Sequence, residues 1–163
     1  GQDDPAISPL ELIKQYAPQC PVFTASHAPF FYTIKAREAF LVSEAAGQRS
    51  PESPLRLKEE PVFGFSGIAR NADFQNTVER LGFNAGAFLE FSDHHRYTPH
   101  DLEKIQSQAQ NAGARRLITT EKDLVRLAPQ NPFALELIVV GVKISFGNHQ
   151  REFITFLQKR LSL

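Results

Sequence analysis

Only one cysteine, Cys20, occurs among the 163 residues. That excludes an internal disulfide and a thiolate metal cluster, and it reads as a reducing compartment. Charge of one sign is not in excess either: 18 Lys and Arg balance 18 Asp and Glu, so the basic surplus of a general nucleic-acid binder is missing and no nucleic-acid partner is expected. No apolar run approaches the ~20 residues of a membrane span, and the opening GQDDPAISPLEL has neither the basic start nor the apolar centre of a signal peptide. A soluble chain without an anchor is the expectation. Methionine is absent even at position 1, so Gly1 reads as a scar of tag removal and the chain as a piece of a longer protein. What is present is ordinary for a globular domain, with 42% hydrophobic and 22% charged residues, enough at this length for one core that needs no staple.

Ile7, Leu10, Ile13 and Tyr16, following Asp3 and Asp4, predict a short helix over 5–17. Segments 20–25, 29–35 and 38–43, rich in Phe, Val, Thr and Tyr, predict strands or a hairpin, with Cys20 a small buried strand residue. Residues 44–60 read as a surface loop or linker. From Pro61 each apolar run is followed by an amphipathic one, the alternation that builds a parallel sheet. Strands are expected at 62–65, 85–91, 116–119 and 135–140, with an edge strand or hairpin partner at 142–146 past Gly141. Helices are expected from Asn71 or Ala72 through Leu81, from Thr98 as N-cap to a stop at Gly113, after Thr120 as N-cap, and over 150–161. In the last of these Phe153, Ile154, Phe156, Leu157 and Leu161 share helical spacing and are expected to close the domain. The expected fold is α/β, a three-layer sandwich with a mainly parallel sheet of about four or five strands. Residues 61–163 form that domain, and 1–60 a helix, a strand pair or hairpin, and a linker.

Polar clusters fall just past the C-terminal ends of three successive strands, the edge where open parallel sheets bind ligands. Gly64 to Arg70 either aims backbone N–H groups at an anion or is a tight turn needing φ > 0 at glycine. It is not a Walker A loop, since GxxxxGK[ST] is absent. Asp93-His94-His95 offers an acid/base group, a carboxylate to fix its tautomer, or metal ligands, with neighbouring imidazoles on an extended segment pointing to opposite sides; the alternative is that Asp93 and His95 make loop hydrogen bonds while Arg96 and Tyr97 pack beside the helix start. Thr119-Thr120-Glu121-Lys122-Asp123 is a helix start, with Thr120 as N-cap and Asp123 at N3. His27, His100 and His149 are isolated in sequence and read as solvated or structural.

Three segments in this order, VFGFSGIARNADFQNTVERLG (62–82), FSDHHRYTPHDLEKI (91–105) and LITTEKDLVRL (117–127), resemble the C-terminal half of the tetraacyldisaccharide 4'-kinases, the lipid A 4'-kinases of Gram-negative bacteria. PVFTA (21–25) is a looser match. The resemblance implies transfer of the γ-phosphoryl of ATP, with Mg²⁺, to the 4'-hydroxyl of a lipid A disaccharide precursor at the cytoplasmic face of the inner membrane. It places the P-loop, the metal-binding acids and the membrane-associating helix in the other half, so the hairpin of 1–60 leads to a missing N-terminal P-loop domain and the fragment alone is expected to be inactive. It further implies that His94, with His95 as the alternative, assists an aspartate of that half, that Asp93 holds the loop or the imidazole, that Ser66, Gly67 and Arg70 meet phosphate or sugar, and that Thr120, Glu121, Lys122 and Asp123 line the nucleotide side or only fix the interface. No metal ligand is assigned to this chain. Two other readings stand beside it. A DHH-type phosphoesterase needs further acids on neighbouring strands to hold two metals, and no Asp-x-Asp precedes the motif; a noncatalytic interaction domain needs no site.

Overall fold

The computed structural model describes residues 8–36, 59–127 and 131–161; the strand expected at 38–43 and nearly all of the 44–60 linker lie outside them. The chain divides into two compact units, one of residues 28–143 and one of residues 1–27 with 144–163. Five strands form one sheet: β1 (Ser26–Ile34), β2 (Pro61–Ser66), β3 (Asn84–Glu90), β4 (Arg116–Thr120) and β5 (Glu136–Ser145), in the order β1-β5-β4-β2-β3. β2 pairs parallel with β3 and with β4, and β4 with β5, while β1 makes the one antiparallel pair, against β5. Its edge position accommodates Pro29, which has no N–H to give to a central ladder. The helices are α1 (Pro9–Tyr16), α2 (Asn71–Arg80), α3 (Pro99–Asn111), the single turn α4 (Glu121–Leu124) and α5 (Gln150–Leu161).

Alternation along the strands sorts the larger unit's core into two faces. Phe63, Phe65, Leu117, Leu137 and Val139 face one side, where they pack with Ile105 and Ala109 of α3 and Leu124 of α4. Val62, Ile118, Ile138 and Val140 face the other, with Phe74 and Val78 of α2. Helix, sheet and helix give the expected three-layer α/β fold. Each such side chain contributes about 1.5–3 kcal/mol when fully buried, and the two central strands β4 and β2 take part in both clusters. The chain leaves β2 across one face through α2 to β3, then returns across the other face through α3 to β4 on the far side of β2. Adjacent β2 and β4 therefore send their outgoing segments to opposite faces, which makes the rim beyond their C-terminal ends a topological switch point, the place where open α/β sheets take ligands.

Caps set the helix boundaries. Ser8 accepts from the N–H of Glu11, and Glu11 accepts from the N–H of Ser8, so α1 begins at Pro9; residues 5–7 of the helix expected over 5–17 lie outside the described residues. Thr98 and Asp101 make the expected capping box at α3, and Gly113, at φ 66°, ends it. Segment 20–25 is not a strand: the N–H of Cys20 closes a turn on Ala17 O (2.9 Å) and Cys20 is exposed. Pro18 and Pro21 have no N–H with which to build a ladder there. Gly141 does not interrupt β5, which runs unbroken into the expected partner segment. The Glu121 carboxylate and the Phe30 ring occupy the place of a Cβ at that position, so glycine serves close approach and not a turn. Nor does α5 close a core, since none of its residues is buried. Within the smaller unit Phe153 stacks on Phe146 (3.9 Å between centroids) and meets Phe23 edge-on. An apolar stripe at helical spacing shows which side a helix would cover, not how much covers it.

Candidate functional site

Past the end of β2 the Gly67 peptide is clamped from both neighbouring loops. Its N–H donates to Oδ1 of Asp123 (3.1 Å), and its carbonyl accepts from the N–H of His94 (3.1 Å) and from Nη1 of Arg126 (3.0 Å). The alternative of a turn with φ > 0 at glycine does not hold here. Positive φ among the described residues falls at Gly82, Gly113, Gly147 and His94, not at Gly64 or Gly67. The N–H of Gly67 already has a carboxylate and is not offered to an anion. Glycine is needed at 67 for closeness: a Cβ would stand 3.0 Å from the Cβ of His95, 3.2 Å from Ser92 O and 3.3 Å from Asp123 Oδ1.

Asp123, at the first turn of α4, is fully buried. Thr120 Oγ1 caps the turn by accepting from the N–H of Asp123 (3.1 Å) and donates to Oδ2 (2.7 Å), while Oδ1 takes Gly67 N–H and Arg126 Nη1 (3.3 Å). The carboxylate is thus fully paired, and loss of either charge would strand the other. Tyr97 lies beside it, its ring edge-on to Phe65 and Phe91. The Tyr97 hydroxyl is buried and makes no hydrogen bond of good geometry. Burial, and then the Asp123 carboxylate nearby, push the phenol well above its ordinary value and keep it protonated.

The two histidines part company at the backbone. His94 is left-handed, φ 59°, a conformation that costs an L-residue about 1–2 kcal/mol and is held here by its N–H, which donates to Gly67 O and to Asp93 Oδ1 (2.9 Å). Its ring is 81% exposed, with Arg126 Nη2 3.2 Å from Nδ1 and Asp93 Oδ2 3.7 Å from Nε2. His95 is turned inward: Nε2 is 3.0 Å from Oδ2 of Asp101, and the ring stacks on Phe91 at 4.5 Å. The Thr98 N–H and hydroxyl, and then His95, hold the Asp101 carboxyl at about 2. The two imidazoles diverge because one residue is left-handed, not because the segment is extended. Asp93, His94 and His95 do not converge, and among the described residues no three His, Cys, Asp or Glu side chains group as metal ligands.

The remaining expected site residues lie apart from this cluster. Ser66 is buried and donates to Asn71 Oδ1 (2.5 Å), while Asn71 Nδ2 donates to Phe91 O (3.3 Å), so this pair ties β2 to the end of β3. Arg70 is exposed and pairs with Asp73 at 3.2 Å. Glu121 leans over Gly141 and takes a long contact from the Tyr32 hydroxyl (3.4 Å). Burial, reinforced by Glu121, pushes the Tyr32 phenol up. Lys122 is exposed. Arg126 was not expected, and Tyr97 and Asn71 were expected only as a packing residue and a helix start; the one sequence signal for Arg126 is its place three residues after Asp123 on a helical turn.

A family model described as tetraacyldisaccharide-1-P 4'-kinase matches residues 12–162. Curated relatives called tetraacyldisaccharide 4'-kinase include that of Desulfatibacillum aliphaticivorans, 35% identical over 88% of this chain and 38% of the relative. That of Desulfotalea psychrophila is 35% identical over 78% of this chain and 32% of the relative. The chain therefore spans about two fifths or less of their length. A crystal structure described as the "apo" form of LpxK from Aquifex aeolicus in complex with ATP is similar with a TM-score of 0.48 and 22% identity, covering 90% of this chain and 40% of that one.

Proposed function

We propose, on the premise that this chain belongs to the tetraacyldisaccharide-1-P 4'-kinase family, that it forms one wall of a kinase cleft. In that cleft the 4'-hydroxyl of a tetraacyldisaccharide 1-phosphate takes the γ-phosphoryl of ATP: the acceptor oxygen bonds to phosphorus, the bond to the β,γ-bridging oxygen breaks, ADP leaves, and the hydroxyl proton passes to a base. The observation that carries this reading is His94, an exposed imidazole held in a left-handed conformation at a switch-point rim and tied to a buried ion pair. Its role is to assist the base, an aspartate of the P-loop half.

Among the described residues no three His, Cys, Asp or Glu side chains group to hold Mg²⁺, and the Gly67 N–H is not free for a phosphate. Where a phosphate cradle needs free N–H groups, the loop after β2 presents a Gly67 N–H already bound to Asp123. We therefore assign ATP, Mg²⁺ and contact with the cytoplasmic face of the inner membrane to a P-loop half of the kinase; no described helix of this chain is long and apolar enough to cross a membrane. The site favours an acceptor-side role over metal-dependent phosphoester hydrolysis because His95 turns away from Asp93 and His94 toward Asp101, and among the described residues no three His, Cys, Asp or Glu side chains group as metal ligands.

In the full-length kinase, His94→Ala is expected to lower kcat by ~10² or more with the fold intact, and His95→Ala to act on stability instead. Unchanged kcat in His94→Ala removes the catalytic assignment and favours a noncatalytic wall. The 163-residue chain alone is expected to show no ATP-dependent phosphorylation of the acceptor, and measurable turnover would refute the division of labour.

A further inference from the structure

The geometry points to Arg126 as a positioning residue that fixes the His94 ring with its proton on Nε2, an inference that rests on the reading of His94 given above. A guanidinium only donates hydrogen bonds, so Nη2 at 3.2 Å from Nδ1 meets a lone pair there. The proton of the neutral ring then belongs to Nε2. Arg126 is not free to follow the ring, because its Nη1 is held by Gly67 O and Asp123 Oδ1, and buried Asp123 is held in turn by Thr120. A continuous path of hydrogen bonds runs from the end of β4 to the exposed imidazole.

The other end of the ring is left for use. Asp93 Oδ2, at 3.7 Å from Nε2, is beyond hydrogen-bond range, so the Nε2 proton can be given to an oxygen that reaches this rim. His94 held in this way acts as a hydrogen-bond donor that orients an acceptor, the function an aspartate base needs from a neighbour. The same fork explains why an arginine and not a lysine stands at 126: two nitrogens in one plane reach the Gly67 carbonyl and the imidazole together.

Two measurements test this. In ¹⁵N spectra of the 163-residue chain, at a pH well above the imidazole range, His94 is expected to show an unprotonated Nδ1 and a protonated Nε2, and Arg126→Ala to move both signals toward the tautomer average of a free imidazole. Signals that do not move overturn the inference. In the full-length kinase, Arg126→Ala is expected to lower kcat about tenfold or more with the KM for the lipid acceptor nearly unchanged, and His94→Ala/Arg126→Ala to be no slower than His94→Ala. An equal further loss in the double variant shows Arg126 acting independently of His94 and overturns it. Arg126→Lys preserves a cation for Asp123, and hence the fold, but loses the fork; full recovery of both kcat and the wild-type ¹⁵N signals by Arg126→Lys also overturns it. Should His94→Ala alone leave kcat unchanged, the catalytic reading falls while the ¹⁵N comparison still decides the contact.

Discussion

Two short motifs, Thr98-Pro99-His100-Asp101 and Thr120-Glu121-Lys122-Asp123, start helices with the same chemistry and end in different work. In each, the threonine hydroxyl accepts from the N–H of the aspartate three residues on and donates back to its carboxylate. Asp101 then closes the box on itself by accepting from the N–H of Thr98 (2.9 Å), leaving His95 as its long-range contact. Asp123 instead turns its second oxygen across the sheet to Gly67 and Arg126. One cap fastens a loop to its own helix, and the other fastens three loops to each other. The difference arises from place: α4 follows β4 beside the β2 loop at the switch point, whereas α3 follows the edge strand β3.

Truncation separates the two most strongly. Asp123→Ala leaves Arg126 without its buried partner and Gly67 without its acceptor, and is expected to cost about 3–5 kcal/mol. Asp101→Ala loses a cap and one imidazole contact, about 1–2 kcal/mol. Urea unfolding of the chain measures both, and equal losses would break the comparison. A smaller effect sharpens it. Gly67→Ala forces a methyl against His95, Ser92 and Asp123, groups that the clamp prevents from yielding, and is expected to cost about 1–3 kcal/mol. Gly86→Ala, on exposed β3 with nothing within 4 Å of the added Cβ, is expected to be neutral or stabilising by up to about 1 kcal/mol. A tolerant Gly67 would mean that the rim is looser than its hydrogen bonds imply.

Local signals were legible in the sequence and reciprocal contacts were not. Thr98, Asp101, Gly113 and Thr120 announce their helix ends because a cap acts within four residues, and the apolar runs from Val62 to Val140 announce a parallel sheet because burial on both faces leaves no alternation. Their order also places Gly67, His94 and Asp123 on one rim. Arg126 escaped because its partners Gly67 and His94 lie 59 and 32 residues away, and a lone arginine just past a four-residue helix has no pattern to mark it. The left-handed backbone of His94 was hidden for a related reason: tertiary hydrogen bonds impose it on a residue that does not ask for it. The partners of Ser66 and Arg70 were equally hidden: the resemblance implied contacts with phosphate or sugar, and the local contacts are Ser66 with Asn71 and Arg70 with Asp73.

The weakest expected effect tests the self-contained cap through acid. The folded-state carboxyl of Asp101 sits at about 2 against an ordinary 3.8, so the folded chain binds that proton less readily than the unfolded one. The stability this contributes is complete above the ordinary value and is lost as pH falls through it toward the folded value. The difference in unfolding free energy between wild type and Asp101→Asn is therefore expected to hold steady at neutral pH, to shrink below about pH 4 and to vanish near pH 2. Because the Thr98 backbone N–H is the largest cause and His95 the smallest, most of that acid slope is expected to survive in His95→Ala. If the slope disappears with His95, the imidazole and not the cap governs Asp101, and the two threonine-led turns are more alike than their hydrogen bonds indicate.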